Sequence, residues 1–304
     1  DGTTGIAVKH GVKHDVGDME QDFGLPEQPV IACAPGTFAL SVTDVDRTYD
    51  VLGLVLLDSG DYARSGGYGS PSEAALRFLA DAPGLMAAQS QQLQQDRQDE
   101  QDSPREPRKT PSTLPCMVFQ HFPIEQYYRL LKPVAATAAR AIEGYRNFAG
   151  RHFVLNEDKT QPGSYLGEGV SCPDADSGEF AILDKAGYFA ISAGHDHRNA
   201  FVGSVPVGTD GDRQMMMVAS PTSGFGSYGP VPAKRAARLF EFDIRHPYEP
   251  RTQLLESDDL VCKPSAGKAY AYGMTSESKP DSEGMDLLHR PTWWSKTWNK
   301  LVSL

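Results

Sequence analysis

The sequence predicts a mixed α+β domain, and three observations predict it. Short apolar runs of strand type recur along the chain: VIACAPGTFALSV at 30–42, DVLGLVLL at 50–57 and CMVFQ at 116–120. Helical spacing alternates with them, in PSEAALRFLAD at 71–81 and in IEQYYRLLKPVAATAARAIEGYRNFAG at 124–150. With 304 residues, 39% of them hydrophobic, the chain is long enough to bury a sizeable core.

Taken in order, residues 1–29 are rich in Gly, Lys and Asp and read as irregular. The run at 50–57 is almost wholly apolar, which suits a strand buried on both faces, and it ends at the turn signal Asp58-Ser59-Gly60-Asp61. Residues 71–81 open on Pro-Ser and space Leu76 and Leu79 for one helix face. Composition then changes: QSQQLQQDRQDEQDSPREPRKTPSTLP, residues 89–115, holds almost nothing to bury, so a disordered insertion is expected at about 89–113, with a short solvated helix as the alternative. Pro133 interrupts the helical spacing of 124–150. Phe180–Leu183 and Tyr188–Ser192 read as a hairpin joined through Asp184-Lys185-Ala186-Gly187, and Met215–Ala219 and Arg238–Ile244 as two further strands. One domain over 1–262 is expected, followed by a tail over 263–304 whose Trp293, Trp294 and Trp298 pack a final helix.

The formal charge of -11, from 40 acidic against 29 basic residues, repels nucleic acids and anionic membrane surfaces. Cys33, Cys116, Cys172 and Cys262 are too few for a disulfide scaffold and lack zinc-site spacing. No run of about 18 apolar residues is present to span a membrane. Compartment is left open, with a lean to a soluble cytoplasmic protein. The chain starts at Asp1 without Met, which reads as a cut or processed end.

Three histidines stand at the ends of predicted strands: His121 after CMVFQ, and His195 and His197 after YFAISAG. Strand ends are where α/β proteins gather their sites, because the sheet holds the loop that supplies the chemistry. His195 and His197, one residue apart, can point their rings at two different ions, and a dinuclear pair roughly 3.5–4 Å apart clamps a phosphate and activates water. Gly194 is read as the residue that permits a tight turn out of the strand. His10, His14, His152, His246 and His289 have no such setting and are taken as structural.

VFQHFPIEQYYRLL (118–131) resembles the segment of calcineurin-like metallophosphoesterases in which a strand delivers a metal-binding His followed by x-Pro. AISAGHDHRNAF (190–201) resembles their Gly-His-x-His motif, in the Gly-His-Asp-His-x-Asn form of the purple acid phosphatase-like branch of fungi and plants. LLDSGDY (56–62) and SGFGSYGPVPAKRAARLFEFD (223–243) fit the same branch, so the likeness spans roughly 30–245 in order. The resemblance implies an αββα sandwich of two mixed sheets flanked by helices, with its N-terminal part absent. It implies hydrolysis of a phosphoester at a dinuclear site of divalent or trivalent iron, manganese or zinc. His121 and His195 would bind one ion and His197 the other; Asp196 would stabilise the turn; Arg198, Asn199 and Tyr228 would line the substrate pocket.

The sequence also departs from that pattern. The family's Asp-x-His, Gly-Asp-x-x-Asp and Gly-Asn-His-Asp/Glu motifs should precede the strand ending at Leu57, and none is present. Gly17-Asp18-Met19-Glu20-Gln21-Asp22 is taken as a solvated acidic turn, and Gln126 stands where the family has Glu. Without a bridging carboxylate the three imidazoles are expected to hold one weakly bound ion or none. Two readings follow: the C-terminal part of a phosphatase whose other part, a partner for this chain, carries the missing ligands, or a non-catalytic relative serving as a binding module.

Overall fold

The alternation of side chains along the central strands decides how the core is built. The computed structural model describes residues 8–10, 29–45, 49–100, 111–243 and 245–261. The chain divides into two units, 1–220 with 240–252, and 221–239 with 253–304. In the first unit, β1 (Val8–His10), β2 (Pro29–Ala34), β3 (Thr37–Thr43) and β4 (Asp50–Leu57) run antiparallel in succession. The sheet continues with β5 (Cys116–Gln120), crosses to β9 (Ala190–Ala193) and β11 (Arg213–Ala219), all parallel to β4, and ends on the antiparallel β10 (Val202–Val207). Val55, Leu57, Cys116, Val118, Ile191, Met215 and Met217 point to one face and join the main core. Leu52, Met117 and Ala190, the intervening residues, point to the other with Phe189. A buried parallel strand carries apolar residues on both faces, as the run at 50–57 predicted.

The first face is covered by α1 (Glu73–Glu100), through Phe78, Leu79, Ala82 and Met86, and by α2 (Glu179–Ala186), through Phe180 and Leu183. Ser72 caps α1, its Oγ accepting the Ala75 N–H at 3.2 Å. Pro83 lies inside this helix and has no N–H to donate to the Leu79 carbonyl four residues back. The hydroxyl of the fully buried Tyr188 donates to that carbonyl instead, at 3.0 Å, and so ties the helix to the strand β9 that follows. The second face is met by the 240–243 and 246–252 stretches of the paired strands β12 (Ala236–Asp243) and β13 (His246–Glu256), with Phe240 edge-on to Phe119 at 5.4 Å.

β6 (Leu131–Val134), β7 (Ile142–Glu143) and β8 (His152–Leu155) form a separate antiparallel sheet with β8 in the middle. In the second unit the buried Arg235 donates to the carbonyls of Gly224 and Ser227, and α3 (Ser257–Val261) follows β13.

The α+β class stands. Of the two mixed sheets expected, the described strands form one, of eight strands, beside a three-stranded and a two-stranded sheet. Four local expectations are corrected. Residues 89–100, placed in a disordered insertion, continue α1, whose Ser90 is buried and accepts the Asp50 N–H; residues 101–110 lie outside the described residues. Residues 124–150 are not a helix but a 3-10 turn over Glu125–Leu130 followed by β6 and β7, because Pro133 is tolerated on an edge strand and Tyr127 and Tyr128 are drawn into the core. Phe180–Leu183 belongs to α2, which Gly187 ends in the left-handed conformation at φ 84°. Val8–His10, read as irregular, is an edge strand, while the acidic turn at 17–22 and the tryptophan tail lie outside the described residues.

Tyr188→Phe is expected to destabilise the protein by about 1–3 kcal/mol, since it leaves a buried carbonyl unpaired. Pro83→Ala restores a helical donor to that carbonyl, so in urea unfolding the Tyr188→Phe loss should be smaller in the Pro83→Ala background than in the natural one.

Candidate functional site

Three adjacent parallel strands, β4, β5 and β9, end at the same edge of the sheet, with Leu57 opposite Gln120 and Gln120 opposite Ala193. Beyond the last paired residues the Gly194 N–H donates to the His121 carbonyl at 3.1 Å, which carries the β5–β9 ladder one step further and locks the two loops together. The Asp196 N–H then donates back to the Gly194 carbonyl at 2.8 Å across His195, whose φ is 68°. This is a three-residue γ-turn of the rarer hand, and a non-glycine residue in it is strained. Gly194 itself is not in the left-handed region, and a Cβ there would make only ordinary contacts, at 3.8 Å from His121 Nδ1. The expectation that Gly194 supplies the turn is therefore corrected: His195 turns, and the backbone strain sits on the candidate ligand.

The turn brings His195 Nδ1 to 3.2 Å from His121 Nε2 across 74 residues of sequence. Burial, with His121 and His197 adding to it, lowers the His195 pKa to about 4, and burial with His197 lowers that of His121. Both rings are consequently neutral at physiological pH and keep a lone pair each. Two imidazole nitrogens bound to one tetrahedral ion at about 2.0–2.1 Å stand roughly 3.3 Å apart, so the observed spacing fits a shared ion as well as it fits a direct N–H···N bond. Among the described residues no group of three or more His, Cys, Asp and Glu side chains is arranged to enclose a metal. His197 is near enough to depress both pKa values.

The remaining expected residues separate. Asn199 is fully buried: its Oδ1 accepts the Gly167 and Glu168 N–H groups at 2.9 and 3.1 Å, and its Nδ2 donates to Asp196 at 3.3 Å. It staples the 167–171 loop to the histidine turn and is not exposed to a substrate, which corrects its assignment to the pocket. Asp196 holds the same loop by accepting the Ser171 N–H, and burial raises its pKa to about 7 against the pull of Ser171 and Asn199. Arg198 is half-buried, and its backbone N–H donates to Glu168 Oε1 at 2.8 Å. Tyr228 belongs to the second unit.

Two features went unforeseen. Tyr68 lies edge-on to the His195 ring at 4.2 Å and Phe122 lies 5.0 Å from it, an aromatic wall that only the folded loop assembles. Next to Gln120, a small cavity lined by Ser59, Phe122, Asp176 and Glu179 leaves Glu179 1% exposed with no hydrogen bond to either carboxyl oxygen. Burial, with Asp176 adding to it and the neighbouring Gln120 amide opposing, raises its pKa to about 8.

Compared with models of known protein families, with curated proteins and with solved structures, the chain matches none of them.

Asn199→Ala is expected to cost about 2–4 kcal/mol of stability in urea unfolding, because it strands the buried Gly167 N–H and the half-buried Glu168 N–H; a residue serving only a substrate would cost almost nothing. Glu179 gives a pH signature. Its carboxyl ionises at an ordinary value of 4.5 when unfolded but stays protonated to about 8 when folded, so unfolding releases a proton between these values and stability falls as pH rises through them. Glu179→Gln should flatten that fall by up to about 1.4 kcal/mol per pH unit, read from unfolding midpoints across the same range.

Proposed function

We propose that the chain is part of a metal-dependent phosphoesterase of the calcineurin-like, purple acid phosphatase-like kind, with His121, His195 and His197 as its contribution to a two-metal site. The observation that carries this reading is the 3.2 Å approach of two neutral imidazoles at the carboxyl ends of adjacent parallel strands. It is supported by the motif order around those residues and by the strain held at His195, since backbone strain persists where the surroundings over-determine it. On this reading the eight-stranded sheet corresponds to one half of the family's αββα sandwich.

Iron, manganese or zinc held by His121, His195 and His197 would supply polarisation of phosphoryl oxygens and a lowered pKa of bound water. The chain's own residues do the positioning: the ladder bond fixes His121 against His195, while Asp196 and Asn199 hold the turn through the 167–171 loop. Hydrolysis joins a water oxygen to phosphorus and breaks the P–O ester bond, releasing the alcohol and phosphate. A second reading, a non-catalytic binding module, is favoured by the absence of the family's three carboxylate-bearing motifs from these 304 residues.

Zinc or manganese is expected to bind the chain with an affinity that His121→Ala or His195→Ala lowers by more than about tenfold in calorimetry. The chain alone should turn over an aryl phosphate slowly or not at all, and a version extended upstream to supply the missing motifs should be active. Metal binding unchanged in both variants would sink the site; an extended protein that binds metal and remains inert would favour the module.

A further inference from the structure

The histidine pair is walled on one side by aromatic rings that it does not need as ligands. Tyr68 packs edge-on to His195 at 4.2 Å, against Phe122 at 4.8 Å, and stacks on Tyr145 at 5.5 Å with planes 27° apart. Tyr62 follows at 5.7 Å from Tyr68 and is 75% exposed. A continuous row of rings therefore leads from the imidazole out to solvent.

The loop bearing this row is held in place before any ligand arrives. Tyr62 and Tyr68 face one another across an antiparallel bridge. The Ala63 N–H donates to the Gly67 carbonyl at 3.0 Å, and Gly66 and Gly67 take φ values of 84° and 80° to close the turn between the two rings. Tyr145 is fixed in turn by its N–H, which donates to the Tyr128 hydroxyl at 2.9 Å. A rigid, neutral, partly open aromatic surface is what a planar ligand group stacks on at small entropic cost.

We infer that Tyr62 and Tyr68 form the subsite for the ester's organic group, and that the phosphoesters taken at the His121–His195 pair carry an aromatic ring there. This inference rests on the phosphoesterase reading. Alkyl phosphates would reach the pair but would leave the wall uncovered.

The test uses binding, which does not depend on turnover. With zinc or manganese present, phenylphosphonate and methylphosphonate are titrated into the chain by calorimetry, alongside Tyr62→Ala and Tyr68→Leu variants. Tyr62 is exposed, so its truncation spares the fold and keeps the test decisive even where Tyr68→Leu disturbs packing. Phenylphosphonate is expected to bind roughly 2–10-fold more tightly than methylphosphonate, and Tyr62→Ala should remove that preference while leaving methylphosphonate affinity unchanged. Equal binding of the two ligands, or a preference that survives Tyr62→Ala, would overturn the subsite and leave the phosphoester reading intact. If neither phosphonate binds, the phosphoester reading fails at this pair and the inference falls with it.

Discussion

One backbone hydrogen bond, from the Gly194 N–H to the His121 carbonyl, organises the site. It is the last rung of the ladder between β5 and β9, made after both strands have stopped pairing side by side. A parallel ladder sets residues that are distant in sequence at a fixed spacing, and here it sets two loops 74 residues apart so that their imidazoles meet. The γ-turn immediately beyond it then aims His195 across the gap. Such a turn costs on the order of 1–3 kcal/mol, which the rigid sheet behind it and the buried Asp196–Asn199 staple beside it must sustain. Strain located on a candidate ligand, with its supports in the next loop, is the arrangement of a site that has to be held and not merely filled.

Elsewhere the fold repeatedly lets a buried side chain answer for a backbone group that regular structure leaves open. Tyr188 supplies the donor that Pro83 withholds from Leu79. The Tyr127 hydroxyl lies within bonding reach of the Ile191 and Val218 carbonyls, where β9 and β11 adjoin. Asn199 accepts two successive N–H groups of a loop that has no strand to pair with. Buried polar groups are tolerable only when partnered, and each of these partnerships also joins elements that sequence separates. Glu179 is one exception among the described residues, and its answer is to remain protonated where an exposed carboxyl would ionise.

The charge at the histidine pair differs from that of the strongly acidic chain around it. Burial holds the pKa values of both histidines down, so the pair carries no positive charge of its own at physiological pH. On the phosphoesterase reading, any attraction for a phosphoryl group has then to come from what the imidazoles bind.

Local patterns were legible in the residues themselves. The apolar run at 50–57 declared a strand buried on both faces, Ser72 declared the start of a helix, and histidines at strand ends declared a candidate site, because burial, capping and strand termination act on neighbours in sequence. Four decisions belonged to the tertiary structure. The polar stretch from 89 to 100 is helical because Ser90 and the residues before it lie against the sheet, a contact that composition does not encode. The 124–150 segment turned away from its helical spacing because two tyrosines gain more by burial among distant strands than a Pro-interrupted helix offers. Asn199 became a structural staple because its amide meets a loop 31 residues away, and Tyr68 joined the site because a two-glycine turn folds it back onto His195. Sequence alone therefore determined which residue types stand at the ends of which strands. Only the folded chain decided which of them meet, because meeting depends on pairing and packing between segments that one-dimensional spacing cannot measure.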